Sequence, residues 1–276
     1  MNRRRFLRRC AGATLGFAAS GLTYSLLEAK WCTVSLHTIK VRRLPPAFAG
    51  LRVALLGDIH HGPYVPLAYV RHIVNLTNAL QPDLIALVGD NVHRGSKYID
   101  PCLAELSRLR AAEGRFAVRG NHDNWEGRAH SQKALTVAGF VEVTNRGVWL
   151  QRAGARLRIC GVGDSWTDRV SVPQALDSAT DRDASILLAH NPEETERVTD
   201  PRVSLILSGH THGGQVVLPW FGPPILPVTG YPGKYVQGWV EGPVSPVFIT
   251  RGLGTITPPV RFCCRPEVVL LTLTPA

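Results

Sequence analysis

Five short polar motifs each fall where a run of apolar residues stops, and that placement constrains this chain more than its composition does. Residues 51–56 end at Gly57-Asp58-Ile59-His60-His61-Gly62, and 84–88 end at Gly89-Asp90. Residues 115–118 lead to Gly120-Asn121-His122-Asp123. Residues 186–189 end at His190-Asn191, and 203–207 lead to Gly209-His210-Thr211-His212-Gly213-Gly214. Short continuous apolar runs are the pattern of strands buried on both faces. Between them, Leu67, Val70, Ile73, Val74 and Leu80 have helical spacing over 66–80, as do Leu103, Leu106 and Leu109 over 99–112. A third helix is predicted over 129–138, and further strands at 31–43, 140–143, 147–151, 156–162, 246–250 and 267–273. Strands alternating with helices imply α/β layers, in which ligands bind at the carboxyl ends of strands. The expected fold is a four-layer α-β-β-α sandwich, two mixed sheets packed face to face with helices outside.

The formal charge of +10 suggests a nucleic-acid binder until it is located. Arg3, Arg4, Arg5, Arg8, Arg9 and Lys30 against Glu28 leave +5 in residues 1–30, and Lys40, Arg42, Arg43 and Arg52 add +4 by residue 52. Residues 53–276 therefore carry only +1. A broad phosphate-backbone footprint is not indicated, and no nucleic-acid partner is expected.

The basic N-terminus, Asn2-Arg3-Arg4-Arg5-Phe6-Leu7-Arg8, precedes a modestly apolar stretch from Cys10 to Leu27. It resembles a twin-arginine export leader, which implies the twin-arginine translocase as a partner. A simple signal anchor is the alternative, with its arginines held on the cytoplasmic side. Ala18-Ala19-Ser20 and the residues before Lys30 are poor versions of a small-x-small cleavage site, which leaves two expectations open: a cleaved leader, or one that stays as a tether to a membrane surface. The organisation read from this is a leader or anchor over 1–30, a basic strand and linker over 31–49, and one domain over 50–276. Localisation follows as inner-membrane-associated or exported to a bacterial periplasm. The six cysteines show neither a CxxC pair nor a disulfide framework. Cys102 and Cys160 are expected as core thiols, and Cys263-Cys264 as a strand position with one thiol facing in.

Taken singly, each polar motif also fits a turn or a hydrogen-bonded core histidine. Five in order, each on a strand end, are the ligand set of a two-metal hydrolase. On these motifs the chain, from about residue 50 onward, resembles the calcineurin-like metallophosphoesterases. That resemblance implies Asp58, His60 and His212 as ligands of one metal, Asn121, His190 and His210 as ligands of a second, and Asp90 as the bridging carboxylate. Mixed imidazole and oxygen donors suit Mn²⁺, Fe or Zn²⁺. Two such ions roughly 3.5–4 Å apart share a hydroxide and hold phosphoryl oxygens for in-line attack. His122 is similar to the family's catalytic histidine, which serves the leaving oxygen.

Many members carry an acid three positions after the bridging aspartate; here that position is His93. Asp123 or another group must then orient His122, and the expected substrate has a good leaving group, such as one side of a pyrophosphate. His61 is expected to line the mouth.

After GHTHGGQ comes a Pro-rich apolar lip containing Trp220 and Phe221, followed by Gly230-Tyr231, Gly238-Trp239, Arg251-Gly252-Leu253-Gly254 and Arg265-Pro266-Glu267. These are similar to a bacterial branch of membrane-tethered or twin-arginine-exported phosphoesterases, itself similar to enzymes that cleave UDP-diacylglucosamine in lipid A synthesis. The lip is expected either to contact acyl chains or a membrane, or to pack as a hairpin over the second sheet; the rigid prolines favour packing. The function read here is hydrolysis of a phosphodiester or pyrophosphate, on a small molecule or a lipid. The alternatives are a nuclease or cyclic-nucleotide-type phosphodiesterase, and a non-catalytic metal-binding interaction module.

Overall fold

A computed structural model describes residues 3–228, 230–231 and 233–276; Asn2, which begins the leader motif, lies outside them, as do Met1, Thr229 and Pro232. The chain opens with α1 (Arg3–Glu28), β1 (Thr33–Val41), β2 (Arg52–Leu56), α2 (Leu67–Ala79), β3 (Leu84–Leu87) and α3 (Ile99–Leu106). It continues through β4 (Gly114–Ala117), α4 (Asn121–Val137), β5 (Val141–Glu142), β6 (Arg146–Arg152) and β7 (Ala155–Gly161). Then come α5 (Val172–Leu176), β8 (Ala184–Leu188), β9 (Leu205–Ser208), β10 (Gly238–Val240), β11 (Val247–Ile249) and β12 (Glu267–Pro275).

The strands form two six-stranded sheets, ordered β1-β12-β2-β3-β4-β5 and β10-β11-β9-β8-β7-β6. Both are mixed: β2, β3, β4 and β5 run parallel while β12 opposes β2. In the second sheet β7, β8, β9 and β11 run parallel, with β6 and β10 antiparallel at its two edges.

Side chains alternate across a strand, and this explains why the runs are continuously apolar. Val53 and Leu55 of β2 face the space between the sheets, where they meet Leu157, Ile159, Ile186, Leu188, Leu205 and Leu207. Ala54 and Leu56, on the other face, pack under Val70, Ile73 and Val74 of α2 with Leu103, Leu106 and Leu135. The outer face of the second sheet is covered more thinly. Cys160, Leu187, Ile206 and Ile249 lie under Ala175 and Leu176 of the five-residue α5, together with Val198 and Tyr235. The fourth layer is thus mostly loop and short turns, with the five-residue α5 as the α-helix of the β7–β8 connection.

Three local expectations shift. The strand predicted at 31–43 is β1, paired in parallel with β12 over nine positions, so this basic segment is an edge of the first sheet. The third helix starts at Asn121 rather than 129, with a break at Gly127 (φ 150°), so the Gly120-Asn121-His122-Asp123 motif is a helix start and not a free turn. Cys263 and Cys264 do keep one thiol out and one in, but in a turn (Cys263 φ 51°) and not on a strand.

Candidate metal centre

The parallel strands β2, β3, β4, β8 and β9 deliver their carboxyl ends to one edge shared by both sheets, and all seven predicted donors lie there. Each is buried, between 0% and 4% exposed. Five of them, Asp58, His60, Asp90, His210 and His212, have left-handed backbone with φ between 51° and 71°. Such conformations cost of order 1–3 kcal/mol each and persist where the surroundings over-determine them. The surroundings here do so. Asp58 N–H donates to Gly89 O (2.9 Å), His60 N–H to Asp90 O (3.0 Å) and Gly209 N–H to His190 O (3.1 Å). Both Asp58 oxygens accept the His210 N–H, at 2.9 Å. Glycine is required where the loops touch: a Cβ on Gly120 would lie 2.2 Å from Asp90 Oδ1, and one on Gly209 2.5 Å from Asp58 Oδ2.

Two clusters of donor atoms result, Asp58 with His60 and His212 and Asp90 with His190 and His210, and a third grouping, His60 with His93 and His122, shares His60 with the first. Asn121 joins the second, its Oδ1 3.1 Å from His190 Nε2, which is itself 3.1 Å from His210 Nδ1. Asp90 lies between them, with Oδ2 3.5 Å from His60 Nε2 and 3.3 Å from His190 Nε2. Its Oδ1 accepts the His122 N–H at the start of α4 (2.8 Å), which leaves Oδ2 for the two clusters.

The donor chemistry fits cations. His60 Nε2 and His212 Nε2 face each other at 3.0 Å, with rings stacked 24° apart. Burial pushes His60, His210 and His212 well toward the neutral form, so their ring lone pairs converge. Burial raises the pKa of Asp58. Burial would do the same to Asp90, but the charge of His190 and its hydrogen bond prevail and hold Asp90 far below the usual carboxylate range. His190 is the exception among the imidazoles: burial would lower its pKa, but Asp90, Asp58 and Asp164 raise it to about 10, so it carries the positive charge these buried acids need and would release its proton when a cation binds.

The catalytic candidate His122 stands beside this cluster, its ring 4.8 Å from that of His60. Asp123 does not orient it. Its carboxylate instead accepts N–H groups from Asp90 (2.8 Å), Asn91 (2.9 Å) and Gly120 (3.1 Å), tying the bridging loop to α4. The partner of His122 is His93, with the two Nδ1 atoms 3.1 Å apart. Arg94 Nε donates to His93 Nε2 (3.2 Å), so His93 carries its proton on Nδ1 and donates it to His122. His122 then keeps its own proton on Nε2. This makes it a neutral hydrogen-bond donor.

The remaining predicted contacts divide. His61 does not line the mouth: it is buried, bonded through Nδ1 to Val65 O (2.8 Å), with its ring edge against Tyr98. Trp220 and Phe221 are 99% and 86% exposed, so the lip hairpin is not packed down. Its prolines fix the loop's shape without burying its tip.

Several residues escaped the sequence reading. Trp166 sets its ring edge-on to His210 (4.6 Å), and Trp125 does so to His122 (4.9 Å), which gives the mouth an aromatic wall. Asp164 is buried with Oδ2 unpartnered, and its charge acts on His190. It follows Gly163 just beyond β7, the same strand-end Gly-Asp signature as Asp58 and Asp90. Fully buried Arg261 donates to the carbonyls of Gly254 (2.7 Å), Arg251 (2.7 Å), Cys264 (3.0 Å) and His212 (3.3 Å), fixing the second ligand loop.

A model of the calcineurin-like phosphoesterase family matches residues 51–214, the segment that supplies all seven donors. The chain belongs to that family. Among relatives of this phosphoesterase, an uncharacterized metallophosphoesterase of Bacillus subtilis, YkuE, is 33% identical over 99% of this chain and 98% of its own length. Phosphodiesterase YaeI of Escherichia coli is 31% identical over 99% of each. An uncharacterized metallophosphoesterase of Aquifex aeolicus is 30% identical over 91% of this chain and 95% of its own. The phosphoesterase is therefore a metal-dependent hydrolase of phosphoric esters.

Proposed function

We propose that this phosphoesterase hydrolyses a phosphodiester or pyrophosphate bond in a lipid-linked or membrane-derived substrate, of the kind represented by UDP-diacylglucosamine. One observation carries the lipid part. An apolar cavity of about 350 Å³ starts at the ligand loop of His212 and runs beneath the lip, walled by Val216, Pro224, Ile225, Pro227, Ile256 and Pro258. That size falls within the roughly 300–1,000 Å³ of small-ligand sites. Its wall meets the donors directly, since His210 Nε2 lies 2.9 Å from Pro227 O. An acyl chain in the cavity would leave its polar end at the two donor clusters.

Asp58, His60 and His212 would hold one ion, Asn121, His190 and His210 the other, and Asp90 both. When bound, such ions supply Lewis acidity at the phosphoryl oxygens and an activated water at neutral pH. The chain does the rest. His122 Nε2–H stabilises charge on the leaving oxygen, and Trp125 and Trp166 shape the entry. A neutral donor stabilises a leaving group but is a poor acid, because losing its proton would create an imidazolate. This favours a leaving group that departs as an anion, such as a phosphate monoester released from a pyrophosphate.

The membrane surface is the proposed second partner: a domain anchored at the inner membrane and facing inward would meet a nucleotide-linked lipid, whereas one exported by the twin-arginine translocase would meet membrane-derived diesters on the periplasmic side. Helix α1 exposes Leu15, Phe17, Leu22 and Leu27 beside its basic end. Among the described residues, no helix is long and apolar enough to cross a bilayer. Helix α1 does not segregate its apolar and polar residues onto opposite faces, so the interfacial contact is assigned to Trp220 and Phe221, exposed together on the lip.

The test compares a diacylated nucleotide-diphosphosugar with its deacylated analogue, using the full chain loaded with Mn²⁺. Each methylene buried is worth about 0.8 kcal/mol, so kcat/KM should favour the acylated form by at least about tenfold. Ile225→Asp should erase that preference while sparing turnover of the deacylated analogue. Equal kcat/KM for the two substrates would refute the lipid-linked reading.

A further inference from the structure

The leader helix ends inside the enzyme. Glu28, in the last turn of α1, is 1% exposed, and its carboxylate accepts the N–H groups of Cys264 (2.6 Å) and Cys263 (3.0 Å). One turn earlier, Ser25 O accepts the Arg261 N–H (3.0 Å). The Tyr24 ring meets Phe262 edge-on at 5.7 Å, and a hydrogen bond to Glu28 is the main reason its phenol pKa is raised. Four consecutive residues, 261–264, are thus gripped by the last turns of α1.

Two of those four residues, Arg261 and Cys264, also support a donor loop. Arg261 and the Cys264 thiol both donate to His212 O, at 3.3 Å each, while Arg261 spans to Gly254 and Arg251. The path from Glu28 to the donor His212 therefore passes through one turn, with Arg261 and Cys264 buried, and two direct hydrogen bonds. A carboxylate at a helix C-terminus faces the negative end of the helix dipole, and burying it costs further free energy. Propensity does not favour an acid there. What holds Glu28 in place is the pair of peptide N–H groups it satisfies.

We infer that Glu28 is a positioning residue of the metal centre, and that the working enzyme keeps at least residues 24–28 of its leader attached. Removing the leader through Lys30 would strip partners from the N–H groups of Arg261, Cys263 and Cys264, and so loosen the turn that fixes His212. This inference rests on the metal-centre reading above.

The experiment uses the full chain recovered from an exporting bacterium. Its intact mass should place the N-terminus upstream of Tyr24. Metal-stripped wild type, Glu28→Ala, Glu28→Gln and the surface control Leu27→Ala are then titrated with Mn²⁺ by calorimetry, alongside melting of the metal-free proteins. Supporting residues around a metal ligand are commonly worth 10–100-fold in affinity. Glu28→Ala should weaken Mn²⁺ binding about tenfold, Glu28→Gln less, because it keeps one acceptor oxygen, and Leu27→Ala not at all. Should Glu28→Ala fail to fold, Glu28→Gln against wild type carries the same comparison. A lowered metal-free melting temperature with unchanged Mn²⁺ affinity would overturn the inference, as would a mature chain that starts beyond Glu28 and binds Mn²⁺ fully. Wild type that binds no Mn²⁺ would sink the metal centre and this inference with it.

Discussion

Replacing Asp90 by asparagine is expected to lower kcat on bis-p-nitrophenyl phosphate by roughly 10³, with the fold retained. Among the described residues, Asp90 Oδ2 is the carboxylate oxygen close to donors of both clusters, 3.5 Å from His60 Nε2 and 3.3 Å from His190 Nε2. The amide removes the negative charge that two cations would share, and turns either its NH₂ or its oxygen toward them. A loss of several kcal/mol of charge stabilisation corresponds to about three powers of ten. The local fold should persist, because an amide oxygen can still accept the His122 N–H that Oδ1 accepts now, at 2.8 Å. Circular dichroism and a Mn²⁺ titration separate the two effects. Turnover within about tenfold of wild type would remove Asp90 from the bridging role.

His122→Ala carries the second largest effect. Deleting a preorganised donor at developing charge costs about 10²–10³ in kcat. Because the ring serves the transition state and not the resting substrate, kcat and kcat/KM should fall together. Metal content should stay unchanged, because all seven donors of the two ions remain; loss of an ion would instead place one at the grouping of His60, His93 and His122. His93 sharpens the test. In the wild type it donates to His122 and keeps it neutral; an aspartate carboxylate there would instead accept a hydrogen bond from His122 Nδ1–H and favour the cationic ring, a true acid. His93→Asp should therefore gain on esters with poor leaving groups and change little on p-nitrophenyl esters. A His93→Asp profile parallel to wild type across a leaving-group series would refute the neutral-donor assignment.

Much of this centre was legible in the sequence, for a physical reason. A two-sided buried strand writes a continuous apolar run, and the residue after it must be polar to act at the sheet edge. The strand ends that bear Asp58, Asp90, His190 and His210 were therefore locatable from local pattern, but each motif alone also fits a turn, and the choice of the seven donors came from the family resemblance of the ordered set. What was not legible depends on direction and long-range contact. His60 and His61 are neighbours, yet one faces the donors and the other turns to Val65 O, a choice set by tertiary packing. Whether Trp220 and Phe221 were buried depended on what the second sheet offered them, and it offers nothing. Glu28 and Arg261 are separated by most of the chain and carry no local signal. Asp164 had the signature and was overlooked because its strand end lacks a histidine.

The most direct test is a stepwise Mn²⁺ titration of the metal-stripped full chain, following ions bound per chain and hydrolysis of bis-p-nitrophenyl phosphate together. The arrangement of donors predicts two ions per chain, with turnover rising only as the second binds. Binding of no ion, or full turnover in the metal-stripped protein, would contradict it.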